Sequence, residues 1–325
     1  MTFAKQHIIA TNELNLSLTE QGTGPVVLLC HGFPETSDAW RHQLPALADA
    51  GFRGVAPDLR GYGLSDCPSD AAKYTTMNVV GDLICLLDAI GESRAVVVGS
   101  DWGATIAWQA ALLRPDLFRA VAALGVPMMG RAPAAPSKVF PRLSDAWFYV
   151  NYFMEQGLAE RELEADIAKS LRRIYHAASG DAGPRDDPTT PNPFGVFTKT
   201  LGLLGGLPEP TDLPRWLPAA SFNALVEAFE RTGFTGGLNY YRNLDRNWEL
   251  DAAFNGLRVE VPALYMVGER DTGLAMPGMQ EIIAAMPELV PNLRASLQVP
   301  GAGHWLSQEA PSEVNAALID FLSNL

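Results

Sequence analysis

The sequence predicts an α/β fold: a mostly parallel sheet flanked by helices, interrupted by a helical insertion. Three observations predict it. Strand-like and helix-like stretches alternate over roughly the first 125 residues, the rhythm of a parallel sheet with helices on both faces. From Met128 to about Leu250 helical patterns continue while buried-strand patterns stop. The alternation then resumes and carries on to Leu325. These changes divide the chain into a first core segment, 1–127, an inserted helical lid, 128–250, and a second core segment, 251–325. The insertion, roughly 120 residues, has the size of a small domain.

The elements follow in order. "HIIATN" and "LNLSLTE" alternate apolar and polar residues, as half-exposed strands do. "PVVLLCHG" is a continuous apolar run, the mark of a parallel strand buried on both faces. "TSDAWRHQLPALADAG" reads as a helix, with Thr36 or Ser37 as N-cap and Gly51 as stop. The strand "FRGVAPDL", the helix "YTTMNVVGDLICLLDAIG", the strand "RAVVVGS", the helix "DWGATIAWQAALLRPDLF" and the strand "AVAALGVP" follow. In the insertion, "DAWFYVNYFMEQGLAERELEADIAKSLRRIY" predicts one or two helices, and 178–195, dense in Gly, Pro, Asp and Thr, a long loop. "SFNALVEAFERTG" and "LNYYRNLDRNWEL" are helical. The strand "PALYMVGERD", the helix "PGMQEIIAAM", the strand "RASLQVP" and the helix "PSEVNAALIDFLSNL" complete the core.

Composition narrows the function classes. A net charge of −13 argues against nucleic acid or an anionic membrane as partner. The three cysteines, Cys30, Cys67 and Cys85, are widely spaced and form no CxxC, so a reducing compartment is expected. The histidines show no zinc-site spacing. "MTFAKQHIIATNELN" has no long apolar segment, and no stretch reaches transmembrane length. A cytoplasmic protein, monomeric or homodimeric, is the expectation.

The chemistry centres on "GSDWG", where a core strand ends on an acid. A nucleophile elbow is a sharp strand-to-helix turn that needs small residues two before and two after the nucleophile. Around Asp101 these are Gly99 and Gly103; around Ser100 they are Val98 and Trp102, which do not fit. Asp101 is therefore the candidate nucleophile. The competing reading is an N-cap aspartate. A carboxylate nucleophile attacks a saturated carbon and leaves an ester, whose hydrolysis needs a histidine base held by a second acid. In this chain order the acid comes first and the histidine second, each after a late strand. Asp271 follows "ALYMVGER", and His304 lies in "VPGAGHW". "HGFPE" follows the strand "VVLLC"; the Phe33 amide, with that of Trp102, would form an oxyanion hole. Phe33–Pro34 is a candidate cis peptide. "DLRGYGLSD" reads as a structural turn.

Taken together, "HGFPE", "DLRGYGLSD", "GSDWGA", "GERD" and "GAGHW" resemble the α/β-hydrolase superfamily over nearly the whole chain, and the elbow aspartate resembles its epoxide hydrolases. One departure is Ser100, where many relatives carry a histidine. The resemblance implies two tyrosines in the insertion that hydrogen-bond the epoxide oxygen. "YVNYFMEQGLAE" resembles the first motif and selects Tyr149, eight residues before Gly157, with Tyr152 as rival. "GGLNYYRNLDRNW" resembles the second and selects Tyr241, leaving Tyr240 to packing. Substrate contacts are expected from Phe33, Trp102, Tyr149, Tyr241 and Trp305, and Met128, Met129, Phe140, Phe194 and Leu204 are candidates for the pocket wall. The implied reaction takes a small-molecule epoxide and water to a diol and requires no metal or organic cofactor. The alternatives are a haloalkane-type dehalogenase and a non-catalytic receptor. Against the first, Phe33 stands where a dehalogenase would be expected to place a halide-binding Asn.

Overall fold

The computed structural model describes residues 4–11, 14–187 and 189–325. The residues outside these ranges fall in the N-terminal stretch, at the end of the first expected strand and in the expected 178–195 loop. The strands are β1 (Lys5–Ala10), β2 (Asn15–Gln21), β3 (Val26–Cys30), β4 (Arg53–Pro57), β5 (Ala95–Ser100), β6 (Phe118–Leu124), β7 (Ala146–Phe148), β8 (Val196–Thr198), β9 (Ala263–Gly268) and β10 (Leu293–Val299). Eight of them form one sheet in the order β1-β2-β4-β3-β5-β6-β9-β10. β1 and β2 run antiparallel, as does β2 with β4; the remaining pairs are parallel.

Sequence explains where each strand lies. β3, β5 and β9 are uninterrupted apolar runs and are buried at every position, as strands covered on both faces must be. β1 and β10 are edge strands and keep polar or exposed positions. Successive side chains of β5 enter opposite layers, Val97 into one apolar cluster and Val96 and Val98 into the other.

The helices are α1 (Gln43–Asp49), α2 (Thr76–Ala89), α3 (Trp102–Leu113), α4 (Pro136–Val139), α5 (Tyr149–Met154), α6 (Leu158–Leu163), α7 (Ile167–Ala178), α8 (Gly202–Gly205), α9 (Ala219–Thr232), α10 (Thr235–Arg242), α11 (Leu244–Leu250), α12 (Met279–Leu289), α13 (Leu306–Glu309) and α14 (Pro311–Ser323). Two expectations need correction. The single helix expected from Thr36 is a short 3-10 turn, Ser37–Trp40, followed by α1, and Thr36 makes no side-chain cap. Pro45 explains the late start, because a proline is tolerated in the first turn of a helix and not deeper. The one or two helices expected before Tyr175 are three, α5, α6 and α7, preceded by β7. Gly157 takes a left-handed conformation between α5 and α6, and Asp166 caps α7 by accepting from the Lys169 amide at 3.0 Å. β7 pairs with β8 in a separate two-stranded sheet; strands of three residues are too short to show alternation.

The insertion shares the core of the sheet rather than forming its own. Tyr152, Phe153, Leu171, Phe229 and Tyr241 belong to the same buried cluster as Leu28, Val97 and Trp102. Among the described residues no helix is long and apolar enough to cross a membrane.

Candidate active site

Parallel register brings the site residues to one end of the sheet. Cys30 pairs with Gly99, Ser100 with Leu124 and Leu124 with Met266, so the loops after β3, β5 and β9 leave the same edge, with β6 between β5 and β9. The loop after β10 joins them, with Val299 opposite Gly268. This carboxyl edge is where open α/β sheets assemble ligand sites.

Asp101 sits on the turn from β5 to α3. Among the described residues it is the one non-glycine with positive φ, 54°, an uncommon conformation that points to a functional constraint. A Cβ on Gly99 would lie 2.0 Å from the Gly103 oxygen, and one on Gly103 2.0 Å from the Cys30 oxygen. The turn thus packs too tightly for any side chain at those two positions. Asp101 makes no side-chain hydrogen bond to its own helix, so the N-cap reading does not hold. Its Oδ1 instead accepts from the Phe33 amide at 2.8 Å, and its Oδ2 lies 3.5 Å from Nε2 of His304.

His304 is buried, and its Nδ1 lies 3.1 and 3.2 Å from the two Asp271 oxygens. Asp271 is 1% exposed and also accepts from the Gly273 amide at 2.8 Å. Burial alone would favour neutral His304. The Asp271 carboxylate, followed by that of Asp101, outweighs it and raises the imidazole well above the ordinary histidine range. Among the described residues the neighbour that Nε2 of His304 faces is the Asp101 carboxylate, an ion-pair contact at 3.5 Å.

The Phe33–Pro34 peptide is cis. The Phe33 ring is buried edge-on against Phe153, Phe234 and Tyr241. His31 anchors this loop from below, its Nδ1 2.9 Å from the Gly32 oxygen and its Nε2 accepting from the Leu59 amide at 3.0 Å. Trp102 opens α3, where a first-turn amide has no intrahelical acceptor.

Tyr149 and Tyr241 come from α5 and α10 and meet edge to face, ring centroids 6.1 Å apart. Tyr241 also meets Trp102 at 5.1 Å. Burial first, and then the charge of Asp101, raises both phenols above the ordinary tyrosine range, so both stay protonated. Tyr152 goes elsewhere: its hydroxyl donates to Glu162 and its ring packs on Trp147 and Phe197. Tyr240 donates to the Arg60 carbonyl at 3.0 Å. Phe194 reaches the site, 5.3 Å from the His304 ring and 5.5 Å from Tyr149. Met129 is exposed. Trp305, expected to touch substrate, is committed elsewhere: its indole stacks on Tyr175 at 4.3 Å and donates to the Tyr175 carbonyl at 2.8 Å. The interior offers that N–H an acceptor, as a buried indole requires.

Sequence reasoning passed over Phe153, which packs against Phe33, Tyr149 and Tyr241, and two buried acids. Glu35 accepts from the Gly32 amide and from Gln308; burial pushes its carboxyl up to about 7. Glu309 accepts from three backbone amides around the histidine loop. Glu35 closes the "HGFPE" motif, which gave it no role of its own, and no spacing signal marks Glu309, whose partners are backbone amides.

The fold and this cluster define the class. A family model described as the alpha/beta hydrolase fold matches residues 25–311, and the chain belongs to that family. The relatives narrow it further. The chain is 42% identical to epoxide hydrolase A of Mycobacterium tuberculosis, over 98% of each chain. It is 41% identical to an epoxide hydrolase of Caballeronia sordidicola, over 98% of this chain and 93% of the other. The solved epoxide hydrolase from an endophytic Streptomyces superposes with a TM-score of 0.94 at 41% identity, covering 98% of this chain and 95% of that one. Epoxide hydrolase A from Mycobacterium thermoresistibile gives 0.91 at 42% identity, covering 99% and 98%. Within the α/β hydrolases the chain belongs to the epoxide hydrolases, and it is a hydrolase enzyme.

Proposed function

We propose that this enzyme opens a small-molecule epoxide to a vicinal diol through a covalent ester on Asp101. The observation that carries the reading is the aim of Asp101: its side chain leaves its own helix uncapped and turns to the Phe33 amide and His304. Oδ1 is held by an N–H, and Oδ2 is the oxygen free to attack. Tyr149 and Tyr241, protonated and facing the charge of Asp101, donate to the epoxide oxygen. An alkoxide is a poor leaving group, so a proton donor at this oxygen matters. Oδ2 bonds to one epoxide carbon, the carbon–oxygen bond breaks, and the oxygen takes a phenolic proton.

The ester changes the electrostatics. Charged Asp101 helps to hold His304 protonated. The ester is neutral, so that support is lost, the imidazolium gives up its proton more easily, and this proton passes to the phenolate. His304, still oriented by Asp271, then removes a proton from water. The hydroxide adds to the ester carbonyl, and the charge develops on Oδ1 against the Phe33 and Trp102 amides, about 3 kcal/mol per donor. Collapse expels the diol oxygen, which takes the proton from His304. The proton left on Asp101 passes to His304, which restores the starting charges. In this reading residues 128–250 act as a lid that carries the phenols, and Trp305 packs behind His304. A cytoplasmic setting is supported by the wide spacing of the three cysteines, which form no CxxC.

The test is a paired assay on purified protein with styrene oxide and a bromoalkane of similar size, following diol and bromide. Diol without bromide is expected. Bromide without diol would move the reaction to a dehalogenase and leave the two tyrosines as packing.

A further inference from the structure

The mounting of the catalytic histidine depends on a carboxylate that neither the resemblance nor the scheme above uses. Glu309 ends the short helix α13, four residues after Trp305. Its Oε2 accepts from the Gly303 amide at 2.9 Å and the Gly180 amide at 2.8 Å, and its Oε1 from the Trp305 amide at 2.9 Å. One side chain therefore holds the backbone immediately before and immediately after His304. It also joins that loop to the turn that follows α7 in the insertion.

The same junction is closed by other contacts. The His304 amide donates to the Ala178 carbonyl at 3.0 Å. Arg270, next to the triad acid, donates to the Gly180 carbonyl at 3.0 Å. Arg185 donates to the carbonyls of Ala177, Ser179 and Arg270 at 3.1, 2.9 and 2.6 Å. A Cβ on Gly303 would sit 2.3 Å from the Gly180 nitrogen, so the two backbones touch. The turn 177–180 is thus bonded to both the histidine loop and the acid loop.

We propose that Glu309 is a positioning residue for the second half of the reaction: it fixes the backbone around His304 against the insertion, so that Nε2 holds its aim at water once Asp101 is esterified. The proposal rests on the ester reading above. Alkylation makes little demand on this mounting, since Phe33 and the tyrosines serve that step. Hydrolysis demands it fully, because the charge that draws Nε2 toward Asp101 is gone.

Glu309→Gln keeps the shape but turns one acceptor into a donor that faces backbone N–H groups. In a two-step ester mechanism kcat/KM reports alkylation, while slowed hydrolysis lowers kcat and KM together. The expectation for Glu309→Gln is a fall in kcat of about 10-fold or more. KM should fall in parallel, with kcat/KM kept within about 3-fold. Rapidly quenched E309Q should carry more Asp101 ester in the steady state than the parent enzyme does. Glu309→Asp, which keeps the carboxyl acceptors on a shorter arm, should lie between the two. Unchanged kinetics, or kcat falling at constant KM, would overturn the proposal. Loss of the fold in both variants would assign Glu309 to stability alone and overturn it too. Failure of the underlying reading looks different: His304→Gln would then trap no ester either.

Discussion

The two halves of the candidate site are built in opposite ways. The sheet side supplies Asp101, Asp271 and His304 from turns that directly follow β5, β9 and β10, and each is held by backbone geometry or a short hydrogen bond. The insertion supplies Tyr149 and Tyr241 from helices of 6 and 8 residues, and aromatic packing holds them. The first half is fixed by backbone turns and hydrogen bonds, the second by ring packing between helices. A substitution on the sheet side should therefore act on chemistry at once, while one in the insertion should act according to which ring it removes and what that ring touches.

The largest effect is expected at the elbow. Asp101→Asn should lower the initial rate by about 10⁴-fold or more, as loss of a nucleophile does. Initial rates matter because slow deamidation restores the acid. Full initial activity in Asp101→Asn would place the nucleophile elsewhere.

Next come the tyrosines. Tyr149→Phe and Tyr241→Phe should each slow ester formation by roughly 10²-fold, the lower end for a lost acid catalyst. Tyr152→Phe removes a hydroxyl already given to Glu162 and should leave ester formation within about 3-fold. Single-turnover mass spectrometry measures all three. Equal losses in Tyr149→Phe and Tyr152→Phe would erase the distinction drawn between neighbouring rings of one helix.

These cases show what a sequence carries. The elbow was legible because its constraint is local: a Cβ at Gly99 or Gly103 would meet a backbone oxygen at 2.0 Å. Asp271 and His304 were legible because each follows a readable strand. The choice between Tyr149 and Tyr152 rested on a motif, since both lie on α5, three residues apart; what separates them is packing against Trp147 of β7, Phe197 of β8 and Glu162 of α6. Trp305 misled because adjacency to His304 says nothing of which way an indole turns. The β7–β8 pair and the hydrogen bonds of Glu309 to the histidine loop left no trace, being built from three-residue strands and backbone amides.

The smallest effect concerns a burden on the sheet side. Glu35 is buried with its carboxyl raised from 4.5 to about 7. A carboxyl raised on folding favours the fold below its unfolded pKa, and that support is lost as pH rises through the folded one. Between pH 4.5 and about 7 the protein should lose about 3 kcal/mol of stability from this group. Glu35→Gln does not titrate, so its stability relative to the parent should rise across that window in denaturant melts. A difference independent of pH would mean that Glu35 is not strained by its ionisation.

The most direct measurement is the intact mass of His304→Gln after incubation with saturating epoxide, followed by peptide mapping. With the base removed, the ester should form and persist. The account predicts a mass increase equal to one epoxide, located on the peptide that carries Asp101. An unmodified protein, or an adduct at any other residue, would contradict it.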